Sequence, residues 1–144
     1  MKRSVVNLVK LIMGLKGSGK TKKLVELVKQ AVVEEHGDVV CIEKDKNLTY
    51  DIPYTVRLIH ASDYEINDNK LLKGFISGLH AGNYDITHVF IDNFYKILND
   101  TSDEAVSALL GWMDSFGEKE NVKFTISATC DPEKVGESIR KYIS

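Results

Sequence analysis

The sequence predicts an α/β protein, a three-layer α/β/α sandwich around a mainly parallel sheet of about five strands. Three observations carry that expectation. Short apolar runs alternate with longer stretches of helical periodicity along nearly the whole chain. A glycine-rich stretch, Gly14-Leu15-Lys16-Gly17-Ser18-Gly19-Lys20-Thr21, stands at the first junction between a run and a helix. A later apolar run, Ile86–Asp92, ends in an acid. With 144 residues the chain supports one domain, taken as 1–144, with a full core and little left for a second.

The elements follow in order. Val5, Val6, Leu8, Val9, Leu11, Ile12 and Met13 lead into the glycine stretch as a buried strand, and Thr21 to Glu35 leaves it as a helix. Leu24, Leu27, Val28, Ala31 and Val32 mark that helix's packed face, and His36-Gly37-Asp38 ends it. Val39–Ile42 is short and apolar, the pattern of a parallel strand buried on both faces, and Glu43-Lys44-Asp45 emerges at its tip. Asn47 to Tyr54 contains Pro53 and reads as an irregular link or short edge hairpin, with a strand at Thr55–Ile59. Asp68 or Asn69 caps a helix through Leu71, Leu72, Phe75, Ile76, Leu79 and His80, stopped by Gly82-Asn83. After the Ile86–Asp92 strand, Thr101 or Ser102 caps a helix that Gly117 closes. Val122–Thr129 is a β-rich run, and Asp131-Pro132-Glu133 starts a last helix.

The glycine stretch has the chemistry of a phosphate cradle. Gly14, Gly17 and Gly19 are expected to take positive φ angles, so that loop N–H groups, including those of Leu15, Lys16 and Ser18, turn inward without a Cβ in the way. The following helix aims its N-terminal dipole at the same place, and Lys20 adds a point charge near the β- and γ-oxygens. Thr21 offers a hydroxyl to Mg²⁺, and Asp92 at a neighbouring strand tip completes the metal site. Ser127 and Thr129 lie at the tip of the strand that follows.

Composition narrows the class. A formal charge of −2 and a pI near 6.1 give no global attraction to nucleic acid. Cys41 and Cys130 are far apart and lack any Cys/His companion pattern, so neither a zinc site nor a disulfide framework is expected and a reducing cytoplasm fits. No apolar run approaches membrane-spanning length, and no internal repeat is present.

This order of strands, with Gly14–Thr21 as Walker A and Ile86–Asp92 as Walker B, resembles the P-loop NTPases in which an extra strand separates the two Walker strands. RecA-like and motor ATPases form that division. The resemblance implies that Ser127 or Thr129 takes the place of a γ-phosphate sensor. Cys41-Ile42-Glu43-Lys44-Asp45 also resembles the acidic box of twitching-motility and type II secretion ATPases, which implies Glu43 as activator of the attacking water. Such motors carry an N-terminal domain that no segment here is long enough to encode, so a lone domain of similar descent is expected. The strand order is similar to type II thymidine kinases too. Their catalytic glutamate follows the Walker B aspartate, whereas Asn93 and Phe94 follow Asp92 here, and Arg3, Arg57 and Arg140 are the only arginines. A nucleoside kinase is therefore disfavoured.

The resulting expectation is a small cytoplasmic protein binding ATP or another NTP with Mg²⁺, and hydrolysing it weakly. Lys20, Glu43 and Asn93 are its candidate catalytic residues, although Asn93 orients water without accepting a proton as a carboxylate does. The guanine signature Asn/Thr-Lys-x-Asp is missing from Glu43-Lys44-Asp45-Lys46, which favours ATP over GTP. The alternative is a nucleotide-dependent switch or adaptor that moves the loops at 47–54 and 95–100. No protein partner is identifiable from the chain.

Overall fold

Five parallel strands lie in the order β1-β5-β4-β2-β3, where β1 is Val9–Gly14, β2 Asp38–Glu43, β3 Arg57–His60, β4 Ile86–Ile91 and β5 Lys123–Thr129. The computed structural model of the chain describes residues 8–48 and 51–144; Val5 and Val6 of the expected first strand and Thr49-Tyr50 of the expected link lie outside the described residues. Helices α1 (Lys20–Glu34), α2 (Asn69–Gly82), α3 (Phe94–Ile97), α4 (Asp103–Glu120) and α5 (Glu137–Arg140) complete the sandwich.

Period-two alternation divides the strand side chains between two cores. On one face Val40, Ile42, Val89, Ile91, Phe124, Ile126 and Ala128 pack with Leu72 and Ile76 of α2 and Val106, Leu110 and Met113 of α4. On the other, Val39, Cys41 and Phe90 pack with Leu24, Val28 and Ala31 of α1. The alternation also determines which polar residues share a side. Counting by twos from Cys41, Phe90 and Thr125, the residues Glu43, Asp92 and Ser127 fall on the α1 face at the strands' C-terminal edge. In open parallel sheets that edge is where ligands bind.

The caps resolve the open choices. Asp68 accepts from Leu71 N at 2.6 Å, and Ser102 accepts from Ala105 N at 3.2 Å. Other expectations are corrected. Gly117 does not close α4; Asn121, at φ 59°, does, and Gly117 is needed because a Cβ there would stand 2.3 Å from the Val122 carbonyl oxygen. The last helix is broken, since Pro132–Lys134 makes one 3₁₀ turn and α5 begins only after Gly136. Sequence reading places residues 95–100 in a loop, yet residues 94–97 form α3, anchored by Phe94 and Ile97 at 0% and 1% exposure.

Candidate functional site

The glycine loop joins β1 to α1. Gly17 and Gly19 adopt φ 85° and 83°, as a cradle of inward amides requires. Gly14 does not share that conformation; a Cβ there would lie 2.6 Å from Ser18 Oγ and 3.3 Å from Ser18 Cβ, so the loop folds back closely over it. Gly19 is the N-cap of α1 without a side-chain cap, and no acid occupies the first turn, so the helix's unpaired N–H groups remain directed at the loop. Lys20 Nζ donates to Leu15 O at 2.9 Å and to Ser18 Oγ at 3.3 Å.

A cavity of about 370 Å³ opens over this loop, lined by Lys16, Gly17, Gly19, Lys20, Thr21, Lys22, Asn93, Lys96 and Thr129. Four of these are lysines and none is acidic, so the cavity concentrates positive charge in a protein whose net charge is negative. Sequence reading missed Lys22 and Lys96. Lys96 was hidden because residues 95–100 carry no periodicity; its position just past the tip of the Asp92 strand was the available signal.

Below the cavity lies a chain of polar contacts. Thr21 Oγ1 donates to Asp92 Oδ1 at 3.3 Å, and Ser127 Oγ donates to the same oxygen at 2.6 Å. Asn93 N donates to Ser127 Oγ at 3.0 Å, while Asn93 Nδ2 reaches Asp92 Oδ2 at 3.4 Å. Asp92 and Ser127 are 2% and 1% exposed. The two candidate sensors are thereby separated: Ser127 is buried and occupied with Asp92 and Asn93, and Thr129 lines the cavity. One hydroxyl and one carboxylate, both hard oxygen donors, fit Mg²⁺, which takes few protein ligands when phosphate oxygens and water complete its shell. Among the described residues no group of three or more His, Cys, Asp or Glu could hold a metal by protein ligands alone.

Glu43 shares edge and face with Asp92, one strand away, as the sequence suggests. Its carboxylate does not stand free. Oε1 accepts from Asn47 N at 3.0 Å and Oε2 from Leu48 N at 3.2 Å, with His60 Nε2 at 3.3 Å, and the residue is 1% exposed. Glu43 thus holds the 44–48 loop onto the sheet, and it is not among the residues lining the cavity. Cys41 sits beneath both acids on the same face; burial first, then the charges of Asp92 and Glu43, push its thiol upward, so it is an inert core thiol. No helix among the described residues is long and apolar enough to cross a membrane.

In space, β5 separates the loop strand β1 from the Asp92 strand β4, the arrangement of the RecA-like and motor ATPase division of P-loop NTPases. The fold is similar to that of the flagellar accessory protein FlaH from Methanocaldococcus jannaschii, with a TM-score of 0.55 and 14% identity over 94% of this chain. The chain spans 66% of that protein, just under two thirds of its length. No curated protein matches the sequence. A family model described as AAA, the ATPase family associated with various cellular activities, matches residues 10–143, and the chain therefore belongs to that family.

Proposed function

We propose that the chain binds ATP at the Gly14–Thr21 loop and hydrolyses it slowly with Mg²⁺ in the cytoplasm. The observation that carries this reading is the cavity over the loop, with four lysines, no acid, and Thr21 paired to Asp92 beneath it. A polyphosphate is the ligand whose charge such a cavity balances. In this reading Lys20 leaves Leu15 O for a phosphate oxygen, the α1 N-terminus and loop amides hold the remaining oxygens, and Thr129 contacts the terminal phosphoryl group. Thr21 and Asp92 would hold Mg²⁺, which when bound neutralises charge on the phosphates. Ser127 keeps Asp92 oriented, and Asn93 positions the attacking water. Glu43 acts as base only if it releases the amides of Asn47 and Leu48, which is why turnover is slow.

Calorimetric titration with ATP and with GTP, each with and without Mg²⁺, tests the reading. Binding of ATP strengthened by Mg²⁺ supports it, and no binding of either nucleotide at millimolar concentration rejects it. Glu43→Gln then tests the base: phosphate release should fall while ATP affinity stays within about twofold, general-base assistance being worth on the order of a hundredfold. Release at the wild-type rate removes Glu43 from the chemistry.

A second reading, a nucleotide-dependent switch, is favoured by the same engagement of Glu43 and by Asn93 standing where a carboxylate would follow Asp92. Tight ATP binding without any turnover supports it over the enzyme.

A further inference from the structure

Lys96 occupies an unusual support. Asp92 accepts from Ser127, Ser127 accepts from the Asn93 amide, and Asn93 turns the chain through the left-handed region at φ 53° and ψ 52°. That turn starts α3, whose first closure is Lys96 N donating to Asn93 O at 3.0 Å. Phe94 and Ile97 are sealed into the core and Tyr95 packs against it, while Lys96 is the exposed residue of this turn. It lines the loop cavity together with Lys16, Lys20 and Lys22. Those three come from the glycine loop and the first turn of α1, whereas Lys96 arrives from past the tip of β4, on a backbone turn tied through Asn93 and Ser127 to Asp92.

We propose that Lys96 is a second phosphate-contacting cation, meeting the terminal phosphoryl group of the bound triphosphate from the side that the glycine loop does not supply. This rests on the ATP reading above. In hydrolysis the water oxygen bonds to the terminal phosphorus as the bridging P–O bond breaks. The electron pair of that bond leaves on ADP, and the water proton passes to the Glu43 carboxylate, the base of that reading, and from it to solvent. Lys96 donates N–H to an oxygen of the transferring group, where negative charge is held as the bond breaks. A cation on a turn pinned by two core side chains needs little reorganisation to do so. A diphosphate lacks the group it meets, so Lys96 discriminates triphosphate from diphosphate, whereas a lysine that only adds to the local field acts on both.

The test titrates wild type, Lys96→Gln, Lys96→Arg and Lys119→Gln with Mg-ATP and Mg-ADP, and measures phosphate release for each. Lys119 lies in the last turn of α4 and carries the same charge far from the loop. Lys96→Gln should weaken ATP about tenfold, leave ADP within about twofold, and lower the turnover number by about tenfold or more. Arginine should restore most of the affinity, and Lys119→Gln should change nothing. Equal losses for ATP and ADP, no loss for either, or the same loss from Lys119→Gln overturns the proposal. Should Lys96→Gln lose its thermal transition, Lys96→Met is read in its place, because it keeps the side-chain stem. If wild type binds neither nucleotide, the ATP reading itself falls; if wild type binds ATP and Lys96→Gln binds it equally, only the Lys96 assignment does.

Discussion

The two edges of the sheet both carry ionisable side chains at a cavity, and they settle the charge in opposite ways. At the N-terminal edge, beneath the end of α1, a cavity of about 230 Å³ is lined by Lys10 and Lys123 but also by Glu34 and Glu35. The charges of Glu35 and Lys123 are answered there within the protein. Glu35 Oε2 takes Lys123 Nζ at 2.9 Å and His88 Nδ1 at 3.6 Å, and His88 Nε2 lies 2.8 Å from Thr125 Oγ1. The His88 ring stacks on Phe90 with centroids 4.1 Å apart. At the C-terminal edge four lysines and, among the described residues, no acid line the cavity, and Lys20 donates there to a carbonyl and a hydroxyl. Buried or clustered charge is costly unless it is paired. The closed edge is built for stability, and the open edge is built to be completed by an anion.

Removing the charge at the open edge should give the largest effect. Lys20→Ala should lower triphosphate affinity by about a hundredfold or more while adenosine affinity stays within about twofold, since only phosphates meet the ammonium. Equal losses for both ligands in parallel titrations would dissolve the distinction between the edges.

The closed edge should respond to pH. Burial above all, with the Lys123 and Lys10 charges, brings His88 below its ordinary 6.5 to about 4 against the opposing pull of Glu35. The unfolded chain therefore takes up a proton near 6.5 that the folded chain refuses until about 4. Stability from this group is full above that window and is lost as pH falls through it, by at most about 3 kcal/mol. Urea unfolding from pH 7 to pH 4.5 should show the decline, and His88→Gln should flatten its share of it without altering ATP affinity at neutral pH. An unchanged slope in the variant would show that His88 is not held neutral by its surroundings.

Lys123→Met should do least. The lysine side chain is 53% exposed, and solvent screening keeps such a pair within about 1 kcal/mol. Its ATP affinity should match wild type; a change would mean that the two edges are coupled through β5.

Much of the open edge is legible along the chain because its parts are local. The spacing of Gly14, Gly17, Gly19, Lys20 and Thr21 specifies a loop within a few residues, and the acid after Ile86–Ile91 specifies a strand tip. The sandwich is legible for the same reason, since the three long helices and most strands declare themselves by period. The misses share another cause. Gly117 looks like a terminator in sequence, and only its contact with the Val122 backbone shows that α4 runs past it. Residues 94–97 are too short for periodicity, and packing of Phe94 and Ile97 makes them helical.

The sequence by itself determined the α/β class, the phosphate loop and the strand-tip acid, because each is written in spacing between near neighbours. The resemblance implied a strand between the two Walker strands, which β5 is; only the tertiary structure decided that Ser127 meets Asp92 while Thr129 faces the cavity. Tertiary contacts also turned the Glu43 carboxylate to the amides of Asn47 and Leu48, and carried Lys96 to the loop. The physical reason is that parallel strands pair through segments far apart in the chain, and a charged side chain turns towards whichever partners that pairing brings near.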